Sequence, residues 1–247
     1  MRRRFFVNEV RNGHAGIEGD EAKHLTRVLR VEPGQRYEIS DNRNVYLAEI
    51  ETARKEQVVF RTIEKLAPEP KWVHITLAMA LIKFDHFEWM IEKATELGVA
   101  EIVPVETIRS ERGLERAAGK RVERWRRIAL EASQQSRRAH LPEIVEPVEL
   151  DEALKIPADQ RIALDEEPGG APLLSALARE HSDSARVALL VGPEGGWADS
   201  ERAKFAPAGW TAVSMGPLIL RAETAALAAL AVTSGAWLKD RADTLKS

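Results

Sequence analysis

A chain of 247 residues, 44% hydrophobic and 30% charged, is long enough to bury a real core as one large domain or two of ordinary size. The absence of cysteine excludes disulfides, thiolate metal sites and cysteine nucleophiles, and a net charge of −3 excludes blanket polycation behaviour, so any nucleic-acid contact must come from local basic patches. The apolar run after Arg2, Arg3 and Arg4 is too short for a signal peptide, and no segment approaches the roughly 20 apolar residues of a membrane span, so a cytoplasmic location is expected.

Residues 1–68 read as short strands, among them Tyr37 to Ser40, Val45 to Ile50 and Gln57 to Ile63, interrupted by one helix from Glu21 to Arg30 with Leu25, Val28 and Leu29 on one side. Short strands around a single helix suggest a small β-barrel, a shape often used to hold nucleic acid. Arg2, Arg3, Arg4, Lys23, His24, Arg27 and Arg30 are either solvated charge or a face that contacts RNA phosphates. Leu66 to Lys71, with Pro68 and Pro70, reads as a linker.

From residue 72 onward strands alternate with helices, the pattern of a mostly parallel α/β sheet. Val73 to Leu81 is the first strand. The next helix opens with Asp85 and Glu88 in capping-box spacing and carries Phe84, Phe87, Met90, Ile91, Ala94 and Leu97 at helical intervals, with Lys93, Thr95 and Glu96 on a solvated side. Gly98 ends it, and Glu101 to Val105 is the following strand. Arg109 to His140 holds ten Arg and Lys against four Glu. Its helix buries Trp125, Ile128, Ala129 and Ala132, and Arg109, Arg112, Arg124, Arg127, Arg137 and Arg138 are candidates for bidentate phosphate contact. Further strands are placed at Glu143 to Val145, Arg161 to Leu164, Arg186 to Val191 and Thr211 to Ser214, and Asp165, Glu166 and Glu167 either cap a helix or face a ligand.

Two loops carry the functional signal. Gly192, Pro193, Glu194, Gly195 and Gly196 follow the apolar run 187–191, and Gly216 and Pro217 follow the strand at 211–215, ahead of Leu218 to Thr224 and a long Ala/Leu helix. Ligands of open α/β sheets bind beyond the carboxyl ends of strands, so two such loops suggest one pocket. No Lys followed by Ser or Thr succeeds the glycines, Glu194 would repel phosphate, and the dinucleotide fingerprint is missing. An adenosyl ligand without phosphates fits, held by backbone groups and by apolar contacts from Leu190, Met215, Leu218, Ile219 and Leu220; S-adenosylmethionine is such a ligand. No histidine among His24, His74, His86 and His140 stands out as a base, and no spacing suggests a metal site.

His24 to Arg30, Glu92 to Val99 (EKATELGV), Gln134 to Pro142, the run from Val191 to Gly196 and the stretch Ser214 to Ala225 (SMGPLILRAETA), in this order along the chain, resemble the RsmE family of ribosomal RNA methyltransferases in the SPOUT superfamily. The resemblance implies a PUA-like RNA-binding β-barrel domain at 1–68 and a trefoil-knotted SPOUT methyltransferase domain at 72–247. It also implies a homodimer binding S-adenosylmethionine and methylation of N3 of one uridine in 16S rRNA, in the small ribosomal subunit. The expected cofactor residues are Leu164, Leu190, Val191, Gly192, Pro193, Glu194, Gly195, Gly196, Met215, Gly216, Leu218, Ile219, Leu220 and Thr224. Arg221 is expected to stabilise charge on a uracil oxygen and Glu223 to position Arg221 or cap the final helix. The chain departs from the family at Leu218, where Arg is common.

Overall fold

The computed structural model describes residues 3–68, 73–167, 170–177, 182 and 184–244, with side chains up to residue 238. Arg2 of the expected phosphate-contacting face and the end of the expected linker, from residue 69, lie outside these. Two units separate: one holds residues 1–70 together with 133–141, the other 71–132 and 142–247.

In the first unit, β1 (Arg4–Phe6), β2 (His14–Glu18), α1 (Gly19–Arg27), β3 (Arg36–Ser40), β4 (Val45–Arg54) and β5 (Gln57–Lys65) follow one another. The strands form one sheet in the order β1-β3-β4-β5-β2, parallel at β1/β3 and antiparallel elsewhere. Alternation in β2, which exposes His14, Gly16 and Glu18 and buries Ala15 and Ile17, turns its apolar face onto a core with Phe5, Leu25, Ile39, Ile50, Val58 and Phe60. The helix stops at Arg27, three residues before its expected end. Val28 closes it at 65% exposure instead of packing inward, and Arg30 takes a positive φ of 52°. Residues 133–141 join this unit through the Ser40 hydroxyl, which donates to the Ala139 carbonyl at 2.6 Å, and through Gln134, which donates to Glu21. A division drawn along the sequence alone assigns them to the other unit.

The second unit opens with β6 (His74–Ala80), α2 (Phe84–Glu96), β7 (Glu101–Glu106), α3 (Leu114–Ala118) and α4 (Val122–Ser136). It continues with β8 (Glu143–Ile144), β9 (Val148–Glu149), α5 (Leu150–Ala153), β10 (Gln160–Leu164), β11 (Ala171–Pro172) and α6 (Leu173–Ala176), and closes with β12 (Arg186–Val191), α7 (Asp199–Phe205), β13 (Thr211–Ser214) and α8 (Ala222–Thr244). All pairings in its sheet are parallel, in the order β11-β13-β10-β12-β6-β7-β8, with β9 also on β7. The strand period of two divides the core. Ile75, Leu77, Met79, Val187, Leu189 and Val191 face Phe87, Trp125 and Leu230, while Ala78, Ala188 and Leu190 face Trp197, Phe205 and Trp210 on the opposite side.

Three local expectations are corrected. Lys83 is the N-cap of α2 and no side chain caps it; Asp85 lies inside the first turn, and Glu88 instead binds Arg124 through two bonds of 2.8 Å. Thr95 is fully buried, its hydroxyl bonded to the Ile91 carbonyl, so that position is not solvated. The last helix starts at Ala222, leaving Leu218 to Arg221 as loop.

Candidate functional site

In register, Leu164 at the end of β10 lies beside Val191 of β12 on one flank and Val213 of β13 on the other. The two glycine-bearing loops therefore leave the sheet one strand apart, on either side of the carboxyl end of β10. Between them lies an open cleft with a cavity volume of about 130 Å³, or about 730 Å³ when counted out to its open mouth.

Leu164, Val191, Gly192, Pro193, Glu194 and Gly196 line one side, and Met215, Gly216, Leu218, Ile219 and Leu220 the other. Leu218 and Ile219 are 77% and 85% exposed. Two large apolar side chains held in water beside a cleft do nothing for folding but offer a surface to a flat apolar ligand. Three expected residues are not in the lining. Leu190 points through the sheet into the cluster around Trp197, because it alternates with Val191. Gly195 lies against Arg109, whose guanidinium donates to the Gly195 carbonyl at 3.1 Å, and Thr224 is exposed on α8.

The loop after β12 needs its glycines for two separate reasons. A Cβ on Gly192 would come to 2.9 Å from the Trp197 indole, which is fixed by its Nε1–H bond to the Leu164 carbonyl at 2.8 Å. Gly196 has φ of 66° and abuts the Glu166 carboxylate, so both its backbone and its lack of a side chain are required.

The chemistry of the lining is selective. Asp165, Glu166 and Glu194 border it, and among the described residues neither Lys nor Arg does. Asp165 binds Arg202 at 3.1 Å, and the same guanidinium lies within 4 Å of Glu166, Glu167 and Asp199. These acids thus hold the N-terminus of α7 beside the β10 end, which neither spacing nor periodicity reveals in the sequence. Trp197, Ser214, Pro217, Ala222 and Ala225 complete the lining.

Arg221 is exposed immediately before α8. Glu223, 6% exposed in the first turn, aims at His86 rather than at Arg221, with Oε1 at 3.3 Å from His86 Nδ1. A second and larger cleft, about 1170 Å³ counted in the same way, lies beyond β7 and β9 and is lined by Glu106, Ile108, Arg112, Glu149 and Lys204 among others.

The expected RNA-binding residues divide by engagement. In the first unit Arg4 is buried, bonded to Glu38 and to the Arg137 carbonyl at 2.7 Å, so it is a structural arginine. Arg3, His24, Arg27 and Arg30 are exposed, Lys23 pairs with Asp20, Arg137 is half-buried, and Arg138 bonds the His140 carbonyl. In the second unit Arg124 is held by Glu88 and Arg127 by Glu131, both with solvent-facing guanidinium groups, and Arg112 is exposed.

A parallel sheet with a cleft at its strand ends and a small β-domain in the same chain matches the RNA methyltransferases. The profile of the RNA methyltransferase domain matches residues 68–234, and that of the RNA methyltransferase PUA domain matches residues 17–63. The "Ribosomal RNA small subunit methyltransferase E" of Synechocystis is 34% identical over 84% of this chain and 68% of its own length, and that of Bacillus subtilis 30% identical over 88% of each. The Neisseria gonorrhoeae enzyme of the same name, solved with S-adenosyl methionine bound, superposes with a TM-score of 0.85 at 28% identity, over 96% of this chain and 98% of that one. The chain belongs to the ribosomal RNA small subunit methyltransferase E family, the RsmE family.

Proposed function

We propose that this protein uses S-adenosylmethionine to methylate N3 of one uridine in 16S rRNA, acting on the small ribosomal subunit in the cytoplasm as a homodimer. The observation that carries the reading is the cleft's lining: glycine-bearing loops and apolar walls bordered by carboxylates, with no Lys or Arg among the described residues. A phosphate-bearing nucleotide is disfavoured there, whereas a cationic sulfonium is welcome. Val191, Leu164, Met215, Leu218 and Ile219 would hold the adenosine, and Gly192 and Gly196 let backbone come close to it. The inserted strand β12, lying between β6 and the earlier β10, supports the trefoil threading implied by the family. Among the described residues, no helix is long and apolar enough to cross a membrane.

When bound, S-adenosylmethionine supplies a methyl group already activated by its sulfonium. The protein's task is to present uracil N3 in line with that methyl carbon and to stabilise the anion formed when the N3 proton leaves. Arg221, exposed immediately before α8, would meet a uracil oxygen as negative charge develops, with Glu223 anchoring the turn that carries it. Arg3, His24, Arg27, Arg30, Arg109, Arg112, Arg124 and Arg127 are exposed and would meet RNA phosphates. Calorimetry tests the cleft: S-adenosylmethionine should bind with a micromolar dissociation constant and ATP not measurably. Tighter binding of ATP, or no binding of S-adenosylmethionine, would overturn the reading.

A further inference from the structure

Where the first turns of α2 and α8 meet the loop after β12, three donor side chains converge: His86, Glu223 and Glu194, with ligand atoms all within 4.8 Å of one another. His86 Nδ1 is 3.3 Å from Glu223 Oε1 and 3.8 Å from Glu194 Oε1. Donors bound to a common tetrahedral ion at about 2.0–2.2 Å stand about 3.3–3.6 Å apart; the His86–Glu223 pair has this spacing, the His86–Glu194 pair is slightly wide, and the Glu194–Glu223 pair lies within 4.8 Å, so the more exposed Glu194 side chain is the one that would move inward.

Burial makes the arrangement costly as it stands. The Glu223 side chain is 8% exposed, and both its Oε2 and His86 Nδ1 are buried without a hydrogen-bond partner. Among the described residues no Lys or Arg pairs with Glu194 or Glu223. The positive ends of the two helices offset part of one carboxylate's burial. A protonated His86 would still leave the cluster one negative charge in excess, whereas a divalent ion on neutral imidazole balances both carboxylates.

We propose that His86, Glu194 and Glu223 form a binding site for a divalent transition-metal cation, with one coordination position left open. One imidazole nitrogen with two carboxylate oxygens and no thiolate suits zinc, cobalt or manganese rather than calcium, which prefers oxygen alone. Because Glu194 also lines the cleft, the ion would tie the glycine loop to α2 and α8. The sequence hides this site, since its ligands come from three distant segments.

The full-length protein, dialysed against chelator, would be titrated with CoCl2 while visible absorption is followed, and with ZnCl2 by calorimetry. One equivalent should bind with the absorption of a low-coordinate cobalt site, and zinc should raise the melting temperature. His86→Ala and, at the exposed ligand, Glu194→Gln should each weaken binding by at least about tenfold while circular dichroism stays native. Binding only at millimolar cation, or binding by either variant as tight as that of the parent, would overturn the proposal. So would a melting temperature that responds to pH but not to zinc or cobalt, because a proton would then be the cluster's partner.

Discussion

Gly192 shows how a single residue links fold to site. An alanine there would press its methyl group into the Trp197 indole, which is buried and hydrogen-bonded and has nowhere to go. Gly192→Ala should therefore cost about 1–3 kcal/mol in denaturant unfolding and weaken S-adenosylmethionine binding as well; a fully stable variant would show that the loop yields. Arg221→Ala belongs to a different class, since the residue is exposed and supports no part of the fold. It should lower kcat by about 100-fold with cofactor affinity nearly unchanged, measured as single-turnover methylation alongside calorimetry. Equal loss in both would remove the charge-stabilising role. At this scale glycines and exposed apolar residues beside them were legible in the sequence. The direction of Glu223 was not, because its partner His86 is brought by another helix.

Among the elements, β7 and β9 carry a pH-dependent pair. Glu106 and Glu149 are register neighbours at the ends of these parallel strands. Burial, followed by the neighbouring Glu149 carboxylate, pushes the Glu106 carboxyl up from its ordinary 4.5. The folded state thus keeps a proton that the unfolded chain releases, so this contribution is complete below the ordinary value and is lost as pH rises through the folded one. Glu106→Gln, neutral at every pH, should gain stability relative to the parent as pH rises above about 4.5, read from denaturation midpoints; a gap constant with pH would contradict it. The basic helix α4 makes a second case. Its Trp125 packs against Phe87 at 4.7 Å and Phe84 at 6.1 Å, so the helix is fixed in the core while Arg124 and Arg127 face water. Replacing both with Glu should weaken RNA binding and reduce the salt slope by about 2, and unchanged binding would make their pairs with Glu88 and Glu131 their whole role. Periodicity found this helix and its buried face. It missed β9 and β11, two residues each, because so short a strand has no period to read.

For the molecule as a whole, composition and the switch from strand-rich to alternating pattern revealed the two kinds of architecture. The transfer of residues 133–141 to the first unit was hidden, since it depends on bonds such as Ser40 to Ala139 between segments far apart in the chain. Ser40→Ala should cost about 1 kcal/mol in unfolding free energy by deleting that bond, and no change would mean water replaces it. Strand order was equally illegible, because the run 186–191 reads as a buried strand without saying that it inserts between β10 and β6. Yet that insertion is what sets the two loops around one strand end and makes the cleft. The central claim, a methyl donor held there and used on small-subunit RNA, is tested most directly by nucleoside mass spectrometry. Small subunits from cells lacking the gene would be incubated with purified protein and isotopically labelled S-adenosylmethionine. One labelled 3-methyluridine per 16S rRNA is the predicted result; no transferred label, or label on another nucleoside, would contradict the account.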